Sequence, residues 1–143
     1  MPNHDHNHTK TEKDNVVEII TNKAPIDYME AVDYMQKRVK AIAENQTTQA
    51  IWLLTHPASY TIGPSTTKDE IPDAIRYSTI PVYTTERGGK STYHDEGQRI
   101  IYFMLDFKKL KNTDVRNFVR KTEEIVILAL KKLGVATYRS KKS

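Results

Sequence analysis

The sequence predicts an α+β fold in which a mixed sheet is packed by two long helices. Two long stretches have the apolar spacing of amphipathic helices, and several short runs around them are rich in β-branched or aromatic residues. The length of 143 residues fits one domain with a real core. No apolar run approaches the ~18 residues of a membrane helix, so we expect no membrane association.

Residues 1–14 are predicted to be a disordered leader, because the segment is polar and has no apolar anchor. It also lacks the apolar stretch of a signal peptide. His4, His6 and His8 alternate with polar residues, an arrangement that can hold a divalent metal. We favour the simpler interpretation, a polar tail without a metal site.

The first ordered elements are predicted to be a strand over residues 16–21 and a helix over residues 26–44. The strand prediction depends on β-branched residues. The helix prediction depends on an apolar stripe at helical spacing, with Pro25 at its start. The stripe consists of Tyr28, Val32, Met35, Val39 and Ile42.

The central part of the chain is predicted to be mainly strands. Residues 49–55 have a continuous apolar core, and His56-Pro57 ends that strand because proline cannot continue a central ladder. Further strands are expected at residues 60–62, at 81–85 and within 97–107. Residues 66–78 are predicted to be a polar loop with a weak helical turn.

The second long helix is predicted over residues 113–133. Thr113 or Asn112 can cap it, and Asp114 suits its first turn. Its apolar positions predict one buried face; they are Val115, Phe118, Val119, Thr122, Ile125, Val126, Ala129, Leu130 and Leu133. Gly134 fits the helix end, and residues 135–139 are predicted to return as a strand.

The net charge of +4 does not indicate a nucleic-acid partner. Five basic residues and no acid fall within residues 131–143, so the rest of the chain is close to neutral. A basic end on a near-neutral body is weak support for a surface that follows phosphates. We therefore expect no nucleic-acid binding.

The positions of the glycines predict where a functional site lies, and the absence of cysteine limits the chemistry it can perform. Four of the five glycines lie between positions 63 and 97, and glycine is needed where backbone takes positive φ or approaches a ligand. Within that window, Gly88-Gly89 could present backbone N–H groups to a carbonyl or phosphate oxygen, and His94 suits proton transfer. An ordinary hairpin loop explains the same residues. The absence of cysteine excludes disulfides, cysteine-ligated metals and a thiol nucleophile.

Several motifs together resemble the lipoyl/octanoyl transferase family. They are Ile51-Trp52-Leu53-Leu54-Thr55-His56-Pro57, Tyr60-Thr61-Ile62-Gly63 with Ser65, Arg87-Gly88-Gly89, Thr92-Tyr93-His94 and Gly97-Gln98. The resemblance extends over about residues 24–139. It implies the fold of biotin and lipoate ligases, an α+β fold, and octanoyl transfer from acyl carrier protein to a lysine of lipoyl domains. A lipoate ligase that uses ATP shares the fold, but the Thr-Tyr-His pattern favours the transferase.

The resemblance also implies where the substrate binds and which partners take part. The matching substrate-binding residues are Arg87, Gly88, Gly89, Lys90, Ser91, Thr92, Tyr93 and His94. The implied partners are acyl carrier protein and lipoyl domains of 2-oxoacid dehydrogenases or the glycine cleavage H protein. We expect no cofactor and a cytoplasmic location.

Two departures from the family pattern affect the functional prediction. Asp95-Glu96 stands where the family has Gly-Pro. The family's catalytic lysine and nucleophilic cysteine follow the region matching Arg139 and are not found here, so no catalytic residue is assigned. Residues 15–143 are therefore predicted to be the N-terminal portion of such a catalytic domain, truncated and inactive alone. A non-catalytic binding module or a decayed remnant that folds poorly are the alternatives.

Overall fold

The polypeptide alternates short strands with one long helix near its beginning and another near its end. The computed structural model describes residues 16–86, 88–109 and 114–140. The predicted leader and its histidines lie outside the described residues. The chain divides into two compact units, residues 1–105 and 106–143.

The first unit contains a β–α–β arrangement built on the predicted strand and helix. The strand β1 is Val17–Thr21, the helix α1 is Tyr28–Ala43, and the strand β2 is Gln49–Leu54. β1 and β2 pair in parallel, because α1 returns the chain to the same end of the sheet. The side chain of Asp27 caps α1 by accepting from the backbone N–H groups of Met29 and Glu30.

The remaining strands form a second sheet and complete the first. They are β3, Ser59–Ile62; β4, Val82–Thr84; β5, Ser91–His94; and β6, Ile100–Met104. One sheet has the order β1-β2-β6 and the other has the order β4-β3-β5. Both sheets are mixed, so the α+β class is confirmed, although the strands form two sheets where the sequence predicted one.

The segment between β4 and β5 is not a hairpin loop. β4 and β5 lie on opposite sides of β3, one parallel and one antiparallel to it. The connection that contains Gly88 and Gly89, called the glycine segment below, therefore crosses from one edge of the second sheet to the other. The sequence prediction missed β5 because its residues are mostly polar, and only the pairing with β3 makes them a strand.

The core lies between α1 and the first sheet. Its buried members are Ala31, Ile42, Ala50, Trp52, Leu54 and Met104. Alternate residues of β2 point into it, as the period of a half-buried strand requires. The predicted stripe of α1 is correct in part: Ile42 is buried, but Val39 is 48% exposed, and Ala31, which is not in the stripe, is fully buried in the core.

Residues 66–78 contain two short turns of helix. A 3₁₀ turn spans Lys68–Glu70, and the helix α2 spans Asp73–Arg76. Thr67 and Glu70 form a reciprocal capping box at the first of them. The predicted weak helical turn is confirmed.

The second unit contains the helix α3, Val115–Lys132. Asp114 is its cap, accepting from the backbone N–H of Asn117, whereas the predicted caps Thr113 and Asn112 lie outside the described residues. Phe118 contacts Phe107 within this unit, with ring centroids 5.1 Å apart. Within this unit no residue of α3 is buried, and burial of its apolar face stays a prediction.

The predicted strand over residues 135–139 is also wrong, because the structure has no strand in this part of the described chain. Gly134 ends the helix with a φ of 82°, as predicted. The chain then runs back along α3, where Arg139 contacts Glu123 at 3.0 Å and Glu124 at 2.8 Å. These ion pairs replace the strand pairing that the β-branched residues suggested.

Candidate functional site

A cleft of about 580 Å³ lies in the first unit beside α1. Its apolar side comes from α1, and its other side comes from the second sheet and β6. The α1 residues are Tyr28, Met29, Val32, Met35 and Gln36; the others are Thr61, Thr84, Thr85, Glu86, His94, Ile100 and Tyr102. A mainly apolar cleft of this size with a few polar groups is typical of a small-molecule site.

His94 is fixed at the polar end of the cleft by two hydrogen bonds. Its Nδ1 lies 2.7 Å from the side-chain oxygen of Gln98, whose amide nitrogen donates to the Tyr93 carbonyl. The Gln98 oxygen therefore accepts from Nδ1–H. His94 Nε2 is then the acceptor for the Thr61 hydroxyl at 3.0 Å.

His56 is fully buried directly behind this end of the cleft. Its Nδ1 lies 2.6 Å from the carbonyl oxygen of Ile26, so Nδ1 must donate. Its Nε2 therefore accepts from the Tyr102 hydroxyl at 2.8 Å. Burial lowers the pKa of His56 from its ordinary 6.5 and His94 lowers it further, while the Ile26 carbonyl and Asp27 oppose the shift. The proton of the Tyr102 hydroxyl thus points at His56 rather than into the cleft.

Tyr28 connects the two histidines with the start of α1. Its ring lies 5.5 Å from His56 and 6.4 Å from His94, measured between centroids, and the two histidine rings are 5.8 Å apart. Tyr28 also stacks on Tyr83, with ring centroids 5.1 Å apart. Burial, then the Asp27 carboxylate that accepts from its hydroxyl, raises the pKa of Tyr83. Tyr28 and the three rings around it therefore form an aromatic cluster at the first turn of α1, next to the polar end of the cleft.

The glycine segment is tied to the loop that follows β3. Lys90 is largely exposed and its amine lies 3.0 Å from Glu70, while its carbonyl accepts from the Gly63 backbone N–H. The backbone N–H of Thr67 and the Lys90 amine hold the pKa of Glu70 below its usual range. Gly89 has a φ of 100°, which explains the need for glycine there.

Tyr93 lies on the opposite face of β5 from His94. Its ring packs against Tyr60 at 5.0 Å, and its hydroxyl donates to Asp95 at 2.9 Å. This hydrogen bond, more than burial, raises the pKa of Tyr93. Asn45 is the one non-glycine residue with positive φ in the described part of the chain, so Asp95 fits its turn without backbone strain.

The structure brings only part of the predicted substrate-binding set to the cleft. His94 lines it, and Thr92 lies opposite Thr61 in the strand register. The side chains of Lys90 and Tyr93 are engaged elsewhere. Gly88, Gly89 and Ser91 do not line it, and Arg87 lies outside the described residues. Whether these residues bind substrate stays a prediction.

Sequence reasoning missed four residues of this end of the cleft: Tyr28, His56, Thr61 and Tyr102. The patterns around them predict apolar packing for Tyr28 and Tyr102 and the end of a strand at His56. The signal that could have found Tyr28, His56 and Tyr102 is a polar tip on an aromatic residue within or beside an apolar run, since such tips need a partner when buried.

Among the described residues, no helix is long and apolar enough to cross a membrane. Within the same residues, no group of three histidines or acids is close enough to hold a metal ion.

An α+β fold with a mainly apolar cleft is typical of proteins that bind a small molecule. Sequence comparison identifies the family. The family described as "Lipoyl protein ligase A/B catalytic domain" matches this chain over residues 27–143. The chain belongs to this family, and its paired mixed sheets and helices fit the biotin/lipoate ligase-like fold. The resemblance stated from the motifs is therefore confirmed.

Three curated relatives are octanoyltransferases. That of Jannaschia sp. (strain CCS1) is 44% identical over 120 residues, covering 84% of this chain and 54% of the relative. That of Ehrlichia canis (strain Jake) is 40% identical over 123 residues, covering 86% and 56%. That of Parvibaculum lavamentivorans is 44% identical over 111 residues, covering 78% and 48%. The chain spans about half the length of the curated relatives that it matches.

Proposed function

We propose that this chain forms the acyl-binding part of an octanoyltransferase site. The observation that carries the proposal is the cleft, whose apolar side runs along α1 and whose polar end is formed by Thr61 and His94. An acyl thioester has the same division, an apolar chain and one polar carbonyl. We infer that the acyl group is octanoyl from the names of the relatives, which are octanoyltransferases.

The site acts by binding and orienting rather than by forming a bond to the acyl group. The 143 residues contain no cysteine, so the chain has no thiol to accept an acyl group from a thioester. Holding the carbonyl at a fixed position lowers the entropic part of the barrier when a nucleophile attacks it. The donor would be octanoyl-acyl carrier protein, the acceptor a lysine of a lipoyl domain, and the location the cytoplasm.

Incubation with octanoyl-acyl carrier protein followed by intact-protein mass spectrometry tests the chemical part of this proposal. We expect the mass of the chain to stay unchanged. A stable adduct with the mass of one octanoyl group would show that another residue of the chain accepts the acyl group, and would contradict the proposed role.

Amide chemical shifts measured during a titration with an octanoyl thioester test the binding part. We expect the largest changes at Thr61, His94 and Val32, which line the cleft. Tyr60 and Tyr93, on the other face of the same strands, are the internal control. Changes centred on the Tyr60–Tyr93 face would place the ligand elsewhere.

A binding module that docks a carrier protein without chemistry is the second candidate. It is favoured by the combination of a formed cleft with the absence of cysteine. Titration with acyl carrier protein lacking an acyl group distinguishes the two. Affinity for the bare carrier protein equal to that for the octanoyl form supports docking, whereas affinity that requires the octanoyl group supports acyl binding.

A further inference from the structure

The α1 residues that line the cleft follow one another along the helix, and their order bears on the length of the substrate. Tyr28 lies in the first turn, where the ring of His94 stacks beside it. Val32 and Met35 follow on the same side, and Gln36 comes last. Gln36 lies eight positions after Tyr28, which places it about 12 Å further along the helix axis. Along α1, the cleft therefore has polar groups at both ends and apolar side chains between them.

The carbonyl of a bound thioester belongs at the Tyr28 end. Thr61 and His94 are there, and a carbonyl oxygen at this end accepts the hydrogen bond of the Thr61 hydroxyl in place of His94 Nε2. Thr84, Thr85 and Glu86 follow Tyr83, whose hydroxyl donates to Asp27 at the cap of α1. The acyl chain then extends toward Gln36, because Val32 and Met35 provide the apolar contact.

The length of an octanoyl chain matches this wall. Its seven carbon–carbon bonds span roughly 9 Å at about 1.2 Å per bond of a staggered chain. The terminal methyl group then lies alongside Met35, before the Gln36 amide. Two further methylenes would reach the amide, where burial of an amide without a hydrogen-bond partner is unfavourable.

We propose that Gln36 is the residue that limits acyl-chain length, and that Val32 and Met35 form the apolar wall along which the chain packs. This proposal rests on the proposed acyl-binding function. Gln36 contacts the ligand only when the chain exceeds eight carbons. It acts by remaining hydrated at the end of the cleft, so longer chains gain no further apolar burial there.

A series of acyl thioesters of N-acetylcysteamine with four to twelve carbons tests this assignment by calorimetric titration of the 143-residue chain. We expect affinity to rise roughly fourfold per methylene up to eight carbons, as methylene burial requires, and then to level off or fall. In Gln36→Leu we expect the rise to continue to ten carbons. In Val32→Phe, which fills the cleft one turn earlier, we expect the break to move to six carbons or fewer.

Gln46→Leu is the matched control, since Gln46 is exposed and lies outside the cleft. We expect it to keep the break at eight carbons, and circular dichroism checks that each variant is folded. A break that stays at eight carbons in Gln36→Leu, whatever Val32→Phe does, or a wild-type affinity that rises smoothly to twelve carbons, would overturn the assignment of Gln36. Absence of binding at every length would instead overturn the proposed acyl-binding function itself.

Discussion

At the scale of single residues, His56 satisfies two polar groups in the interior at once. It donates to the Ile26 carbonyl and accepts from the Tyr102 hydroxyl, and it is fully buried. Either partner left without a hydrogen bond in the interior costs about 1–3 kcal/mol. His56 therefore couples the start of α1 to β6.

Replacing His56 tests this coupling. We expect His56→Ala to lower the free energy of unfolding by about 3 kcal/mol, and Tyr102→Phe by about 1 kcal/mol. In the double variant the Tyr102 hydroxyl is already gone, so the combined loss should fall short of the sum by about 1 kcal/mol. Denaturant unfolding measures all three; strictly additive losses would show that the two side chains do not act through each other.

The lowered pKa of His56 predicts a pH dependence of stability. Below 6.5 the unfolded chain takes up a proton on this imidazole that the folded chain does not. Stability contributed by His56 is therefore present above pH 6.5 and is lost as pH falls toward its folded pKa. The lowered pKa of Glu70 acts in the same direction, but only as pH falls below 4.5.

Urea unfolding between pH 8 and pH 5.5 separates the two groups. We expect the free energy of unfolding to fall across the acid half of this range in the wild type, and the slope to be smaller in His56→Gln. An equal slope in both proteins would assign the effect to another titrating group.

At the scale of elements, Gly89 and Gly88 form a matched pair within one segment. Gly89 has a φ of 100°, whereas Gly88 has no positive φ, and a Cβ added to Gly88 would meet no atom within 4 Å. We expect Gly89→Ala to destabilise the fold by about 1–2 kcal/mol and Gly88→Ala by less than about 0.5 kcal/mol. Thermal unfolding of the two variants measures this, and equal losses would contradict the backbone account.

Asp27, the N-cap of α1, and Asp33, within α1, provide a second comparison. Asp27 caps the helix and accepts from the Tyr83 hydroxyl, whereas Asp33 makes an exposed ion pair with Lys37. We expect Asp27→Ala to cost about 1–2 kcal/mol and Asp33→Ala less than about 0.5 kcal/mol. Denaturant midpoints of the two variants provide the comparison, and a larger loss for Asp33 would show that the cap is not what holds the start of α1.

The elements whose own residues carry a regular pattern were predictable from the sequence. α1 has apolar residues at helical spacing, β2 and β6 are runs of mostly apolar residues, and the positions of all three are confirmed. β5 was not predictable, because it is held by pairing with β3 and not by its composition. The segment after α3 shows the converse, since Arg139 binds α3 where its β-branched neighbours predicted a strand.

At the scale of the whole molecule, the family followed from short motifs but the cleft did not. Motifs are contiguous in sequence, and residues 87–94 therefore drew attention to the glycine segment. The cleft joins α1, the second sheet and β6, which are far apart in the chain and meet only after folding. This is why His94 was predicted while Tyr28, Thr61 and Tyr102 were not.

The central claim is that the cleft beside α1 binds an acyl chain, and two valines of α1 test it most directly. Val32 lines the cleft, whereas Val39 is 48% exposed on the same helix and lies outside it. The measurement is the affinity for an octanoyl thioester in the wild type, Val32→Glu and Val39→Glu. We expect Val32→Glu to lose binding by at least tenfold, because a carboxylate in the apolar wall must be desolvated, and Val39→Glu to match the wild type. Equal affinities in all three proteins, or no binding by the wild type, would contradict the account.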